Sequence, residues 1–238
     1  MEAINLCVDQ GNTRIKFALF DHDRILHSMV VDTIDELNQW LQGQDIHQLN
    51  VIYSTSGQDK SAELQVSSLL FLDHHTPLPI ALHYDSPLTL GNDRKANACG
   101  AFALFPGKNS LIIDAGTCIT YDIVNKEAVF VGGAISPGIQ MKARAMSQFT
   151  ARLPEILPPF ENLTSGQSTS QCLHSGALHG SILEAQGRID ELSQQFDDLH
   201  VLLTGGDATY FESALKNATF ADSNLTLRGL NEILKHQK

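Results

Sequence analysis

Two short segments carry the residues best suited to chemistry, Asp9-Gln10-Gly11-Asn12-Thr13 and Asp114-Ala115-Gly116-Thr117-Cys118. Each follows an apolar run and places an acid two residues before a glycine, and the two acids are 114 − 9 = 105 residues apart. Glycine allows a tight turn whose backbone N–H groups can approach a phosphate, and Asn12, Thr13 and Thr117 add further donors. A carboxylate beside phosphates is repulsive unless a divalent cation lies between them, so the pattern suits a metal-bound polyphosphate. A single Asp-x-Gly reads better as a plain hairpin turn, and the repetition on matching strands is what favours the phosphate reading. The chain holds neither GxxxxGK(S/T) nor GxGxxG, so the commoner nucleotide grips are absent.

A second constellation is Leu90-Gly91-Asn92-Asp93-Arg94, with Tyr84 upstream and Ala96, Ala98, Cys99, Gly100 and Ala101 downstream. Gly91 and Asn92 make a turn, and Asp93-Arg94 open a helix with a small-residue face. Asp93 there is either a partner of the helix dipole or a general base for an attacking alcohol, with Arg94 orienting a polar or anionic group. Gly132 to Gly138 ends a strand in a Gly/Pro turn, either a ligand-lining loop or loop punctuation. Thr204-Gly205-Gly206 offers bare backbone at a strand end against which a ring could pack. The ten histidines show no metal-ligand spacing.

The elements that must position these residues read as alternating strands and helices. Ile4–Val8 and Arg14–Phe20 form a hairpin, and Thr33 with Glu36 caps a helix carrying Ile34, Leu37, Trp40 and Leu41. Val51–Tyr53 and Ile80–His83 read as strands, with a helix expected between them around Leu64, Leu69 and Leu70. A helix over about 93–105 stops at Pro106-Gly107, which sets a domain boundary after residue 108. Beyond it, Leu111–Ile113 and Thr120–Val124 repeat the opening hairpin, followed by a strand over 129–135 and helices near 139–149 and 170–195. A strand at 201–203 and a last helix near 227–235 complete the second half, while Pro154–Gln167 reads as a loop. The expectation is two related α/β halves, 1–108 and 109–238.

Composition narrows the partners. Sixteen basic against 27 acidic residues leave a net charge of −11, which argues against a nucleic acid or an anionic membrane as the main partner. Phosphates must then be held by local donors and a metal ion. Cys7, Cys99, Cys118 and Cys172 form no CxxC pair, and no segment reaches the roughly 20 apolar residues of a membrane span. A cytoplasmic protein is expected.

The ordered set of motifs resembles the type III pantothenate kinases over essentially the whole chain. It comprises Asp9 to Thr13, Tyr84 with Gly91 to Arg94, Asp114 to Thr117, Gly132 to Gly138, Arg152-Leu153-Pro154, Gly166 to Thr169 and Thr204 to Gly206. The resemblance implies two ribonuclease-H-like domains of the actin-like ATPase and sugar-kinase superfamily, with mixed sheets flanked by helices and an ATP cleft between them. It implies a homodimer that moves the γ-phosphoryl group of ATP to the terminal hydroxyl of pantothenate, opening coenzyme A synthesis.

By the same resemblance Asp93 is the base and Asp9 the magnesium-associated acid, directly or through water. Gly11, Asn12, Thr13, Lys16, Gly116 and Thr117 lie on the phosphate side, and Gly205 and Gly206 on the adenosine side. Asp114 is implied as ligand of a monovalent cation, potassium or ammonium. Tyr84, Gly91, Asn92, Asp93 and Arg94 are implied as substrate contacts, with Thr169 delivered from the partner subunit. Asn92, where the family more often has a small residue, Tyr53-Ser54-Thr55-Ser56 and residues 155–165 depart from the family pattern. Two rival readings share the scaffold: a nucleotide-binding regulator without turnover, and a kinase for another small alcohol.

Overall fold

The computed structural model describes residues 4–11, 14–46, 48–216 and 220–238. The chain separates into two compact units, one of residues 1–106, 128–130 and 224–238, the other of residues 107–127 and 131–223. The first long segment ends at Pro106. The last helix differs: placed in the second half by its position in the sequence, it belongs to the first unit.

In the first unit β1 (Ile4–Gln10), β2 (Ile15–Asp21), β3 (Arg24–Val31), β4 (Leu49–Thr55) and β5 (Leu70–Phe71) form a sheet in the order β3-β2-β1-β4-β5. β1 runs antiparallel to β2 and parallel to β4. Leu6, Val8, Phe17, Leu19, Val51 and Tyr53 alternate onto one face, where Ile34 and Leu37 of α1 (Ile34–Gln42) cover them. Thr33 caps α1 by accepting from Glu36 N at 3.2 Å.

The helix expected around Leu64 to Leu70 does not form. Asn38 of α1 takes the backbone there instead, donating to Glu63 O at 2.9 Å and accepting from Gln65 N at 2.8 Å. One tight turn over Ser61–Glu63 is all that remains of it. The strand expected at 80–83 is β6 (Ala81–Leu82), paired in parallel with Val129 and Phe130.

The opposite face of this sheet carries α2 (Asn92–Leu104) and α7 (Leu225–His236). Their axes approach closely because neither has a side chain at the crossing. A Cβ on Gly229 would lie 1.7 Å from Ala96 O, and one on Gly100 would lie 2.6 Å from Leu225 O. Buried bonds add register: Thr226 Oγ1 donates to Asn97 Oδ1 at 2.8 Å, and Asn231 accepts from Asn5 Nδ2 at 2.9 Å. α7 thus packs directly on the helix whose first turn holds Asp93.

The second unit repeats the plan. β7 (Ser110–Ala115), β8 (Cys118–Val124), β9 (Val129–Pro137), β10 (His200–Thr204) and β11 (Phe220–Ala221) follow the order β9-β8-β7-β10-β11, and β6 joins this sheet as a sixth strand beyond β9. β7 is antiparallel to β8 and parallel to β10. Apart from the added edge strand β6 this is the order of the first sheet, so β1 and β7, with their acids, occupy equivalent places. The core is formed by Leu111, Ile113, Ile119, Tyr121 and Leu203 with Ile139, Ala177, Ile182 and Ile189. The helices are α3 (Ile139–Gln148), α4 (Thr169–His174), α5 (Gly180–Leu192) and the short α6 (Thr209–Glu212). The single helix expected over 170–195 is interrupted by a π-helical turn at Ser175–His179. Among the described residues no helix is long and apolar enough to cross a membrane.

Candidate active site

In the first unit Asp9 stands one residue before the end of β1, opposite Lys16 on β2 and Ser54 on β4. Opposed residues share a face of the sheet, so the Asp9 and Lys16 side chains leave the hairpin on the same side. The turn begins with Gly11 N–H donating to Arg14 O at 2.9 Å. Asn12 and Thr13 lie outside the described residues.

The second constellation forms around the start of α2. Gly91 precedes the first helical residue, and a Cβ there would lie 2.4 Å from Asp93 Oδ1, so the bare glycine leaves the carboxylate its position. That same oxygen accepts from Arg94 N at 2.8 Å. Arg94 is buried, its guanidinium carbon 5.9 Å from the Tyr84 ring centre and 5.7 Å from that of Phe130. The two rings meet edge to face with centres 5.8 Å apart. Tyr84, Gly91, Asp93 and Arg94 therefore come together, with the plane of the guanidinium held by aromatic contact. Asn92 is engaged differently: its Nδ2 donates to Leu72 O at 2.7 Å and its Oδ1 accepts from Lys95 Nζ at 3.3 Å. Its side chain anchors the turn to the loop before Asp73. Burial pushes the Lys95 ammonium below the usual lysine range, opposed by the charge of Asp73.

In the second unit three glycine segments converge on one turn. Asp114 on β7 faces Thr120 on β8 and Thr204 on β10. Gly116 N–H donates to Cys118 O at 2.9 Å, leaving Thr117 exposed at the tip. Gly205 has φ +95°, and a Cβ on it would lie 2.2 Å from Ala115 O and 2.6 Å from Asp114 Oδ1. Gly138 N–H donates to Thr117 O at 3.1 Å, and a Cβ there would lie 2.3 Å from Gly116 O. Gly206 has nothing within 4 Å of its Cβ position and offers open backbone. Burial raises the carboxyl of the next residue, Asp207.

The turn at 132–138 is fixed from behind. Ser136 Oγ donates to Glu184 Oε2 at 2.9 Å, and Lys142 Nζ reaches the same oxygen at 3.0 Å and Ser181 Oγ at 2.9 Å. Burial alone would raise the Glu184 carboxyl, but the bonds from Lys142 and Ser136 hold it below the usual range. Thr169 is exposed in the first turn of α4, where Ser168 caps by accepting from Gln171 N at 3.3 Å.

Comparison with known proteins shows the family. The family model described as type III pantothenate kinase matches residues 5–191. A type III pantothenate kinase of Cytophaga hutchinsonii is 38% identical over 233 residues, covering 98% of this chain and 99% of the relative. One of Christiangramia forsetii is 39% identical over 241 residues, covering 99% of both. This chain belongs to the type III pantothenate kinase family.

Solved structures support the fold. A Campylobacter jejuni protein described as a Baf family transcriptional activator superposes with a TM-score of 0.63 at 22% identity over 98% of both chains. A ROK hexokinase of Thermus thermophilus gives 0.54 at 13% identity, covering 99% of this chain. The chain shares its fold, two α/β units with mixed sheets flanked by helices, with these two proteins.

Membership of this kinase family implies ATP with a divalent metal. Among the described residues no three of His, Cys, Asp and Glu converge into a metal-binding group. That donor set fits an ion held chiefly by nucleotide oxygens and water, with one carboxylate assisting, rather than one caged by protein. The sequence reading missed Phe130, which completes the aromatic contact of Arg94 from a distant strand. It also missed Lys142 and Glu184, whose spacing carries no motif.

Proposed function

We propose that this chain is a pantothenate kinase, moving the γ-phosphoryl group of ATP to the terminal hydroxyl of pantothenate to give 4′-phosphopantothenate and ADP. The observation that carries the reading is Asp93, placed in a first helical turn with its Oδ1 accepting from Arg94 N and an aromatic-flanked arginine beside it, in a chain matching this family along its length. Asp93 takes the hydroxyl proton as the substrate oxygen bonds to the γ-phosphorus and the bond to the β-phosphate oxygen breaks. Arg94 and Tyr84, with the Gly91 turn that Asn92 anchors, orient the substrate.

Gly11, Asn12, Thr13, Lys16, Gly116 and Thr117 hold the phosphates, and Gly205 and Gly206 take the adenosine. When bound, magnesium offsets the phosphate charge, and Asp9 is the residue that would hold it, directly or through water. Asp114, whose Oδ1 lies against the bare backbone of Gly205, would hold potassium or ammonium.

The proposal extends to a homodimer in which Thr169 reaches the partner's substrate. The exposure of Thr169 in the first turn of α4 supports it, since the side chain is accessible to a second subunit. A cytoplasmic location is consistent with four free cysteines.

The test is a coupled ADP-release assay with ATP, magnesium and pantothenate, with and without potassium. Turnover should require pantothenate and rise with potassium, and Asp93→Asn should reduce kcat by a factor on the order of 10² or more. Full activity in Asp93→Asn would remove the proposed base, and no pantothenate-dependent ADP would remove the assignment.

A further inference from the structure

We infer that Tyr53 and Gln10 are a positioning pair for the first phosphate turn, so that the hold on nucleotide depends on a buried phenol lying behind the turn. The inference rests on reading Asp9 to Thr13 as phosphate-binding. Gln10 lies between Asp9 and Gly11, is 6% exposed, and has both ends of its amide engaged. Its Oε1 accepts from the Tyr53 hydroxyl, and its Nε2 donates to Gln58 O at 2.7 Å. Its own carbonyl accepts from Ser56 N at 3.1 Å. Three bonds therefore tie the residue between acid and glycine to β4 and the chain leaving it.

Tyr53 is fully buried, in one cluster with Val8, Phe17 and Leu64, and stacks on Phe71 with ring centres 6.2 Å apart. Burial, reinforced by the charges of Asp59 and Glu63, pushes its phenol up to about 12, which leaves it a neutral donor. Turning the Gln10 amide over would set its oxygen against the Gln58 carbonyl, so one orientation satisfies both contacts. The Tyr53 to Ser56 segment, which departs from the family pattern, is the segment that supplies two of these bonds.

The second unit solves the same problem without side chains. Ala115 is the equivalent of Gln10, and its carbonyl accepts from Asp207 N at 2.9 Å while Gly205 packs directly over it. The first turn has no glycine in the place of Gly205: Thr55 follows Ser54, where Gly205 follows Thr204. In the first unit the side-chain pair takes over what direct backbone packing does in the second.

The test compares Tyr53→Phe, Gln10→Leu and the double variant in the full chain. It reads Mg-ATP affinity by calorimetry, thermal midpoint, and the KM values for both substrates. Tyr53→Phe leaves a buried amide oxygen without its donor, so both the midpoint and Mg-ATP affinity should fall, the latter about five- to tenfold, with pantothenate KM within about twofold. The double variant removes both partners of that bond, so the midpoint should recover while Mg-ATP affinity stays low. Affinity within twofold of wild type in Tyr53→Phe, or affinity recovering together with the midpoint, would overturn the inference. Wild-type protein that binds Mg-ATP but gives no pantothenate-dependent turnover would overturn the proposed function, and the affinity comparison would still decide the inference. Failure of wild type to bind Mg-ATP would overturn both.

Discussion

Replacing Gly205 by alanine should damage the second phosphate turn, whereas the same change at Gly206 should be tolerated. At φ +95° an alanine carries a conformational cost of about 1–2 kcal/mol that glycine does not. Its methyl would start 2.2 Å from Ala115 O and 2.6 Å from Asp114 Oδ1, so one strand end must move by roughly an ångström. Overpacking of this kind costs about 1–3 kcal/mol. Together these give a loss of about 2–5 kcal/mol, or roughly 4–20 °C in melting temperature for a chain of this size.

Gly206 meets nothing within 4 Å and has no positive φ, so its alanine variant should stay within about 1 kcal/mol of wild type. Differential scanning fluorimetry on both variants reads the stability difference, and a potassium titration of the kinase assay reads the displacement of Asp114. If Gly205→Ala melts with wild type and responds normally to potassium, the close approach is not a constraint and the placing of Asp114 by Gly205 is wrong.

Arg94→Lys keeps the charge but loses the planar group set against Tyr84 and Phe130, so pantothenate KM should rise about tenfold with ATP KM little changed. A shift confined to ATP KM would place Arg94 on the nucleotide instead. Glu184, held below the usual carboxyl range by Lys142 and Ser136, has a folded pKa depressed relative to the unfolded chain. Its contribution is therefore present above the ordinary value of about 4.3 and fades as pH falls toward the folded value. The melting-temperature difference between wild type and Glu184→Gln should accordingly shrink below about pH 4.5, and a difference constant from pH 7 to 3 would contradict this account.

The glycine motifs stood out in the sequence because each breaks an apolar run at a strand end or helix start, although only that of Gly91 has its reason close by in the chain. Gly91 beside Asp93 and Gly205 over Ala115 are places where any side chain collides with a named atom. Strands with a buried face were legible for a similar reason, since Leu6, Val8, Phe17 and Leu19 alternate onto one core. What depended on distant partners was not. β3 (Arg24–Val31) is mostly exposed, so it lacks the alternation that marks a half-buried strand. The segment around Leu64 has helix-like spacing, yet Asn38 captures its backbone from another element. The last helix looked like the end of the second half. Its place in the first is set by Gly229 against Ala96 and Gly100 against Leu225, a match between helices far apart in the chain.

Apart from the edge strand β6 the two sheets share one strand order, and in both the acid sits one residue before the end of the first strand, facing a hydroxyl residue on the fourth: Ser54 opposite Asp9, Thr204 opposite Asp114. Beyond that point the two halves diverge. At Ala115 the backbone of Gly205 closes directly over the turn, a rigid solution that tolerates no Cβ. At Gln10 the gap is spanned by an amide and a phenol, a solution whose stiffness depends on satisfied hydrogen bonds. A steric fit fails when a side chain is added, and a hydrogen-bonded one fails when a single donor is removed. The repeat therefore conserves where the acid stands and leaves open how its turn is held.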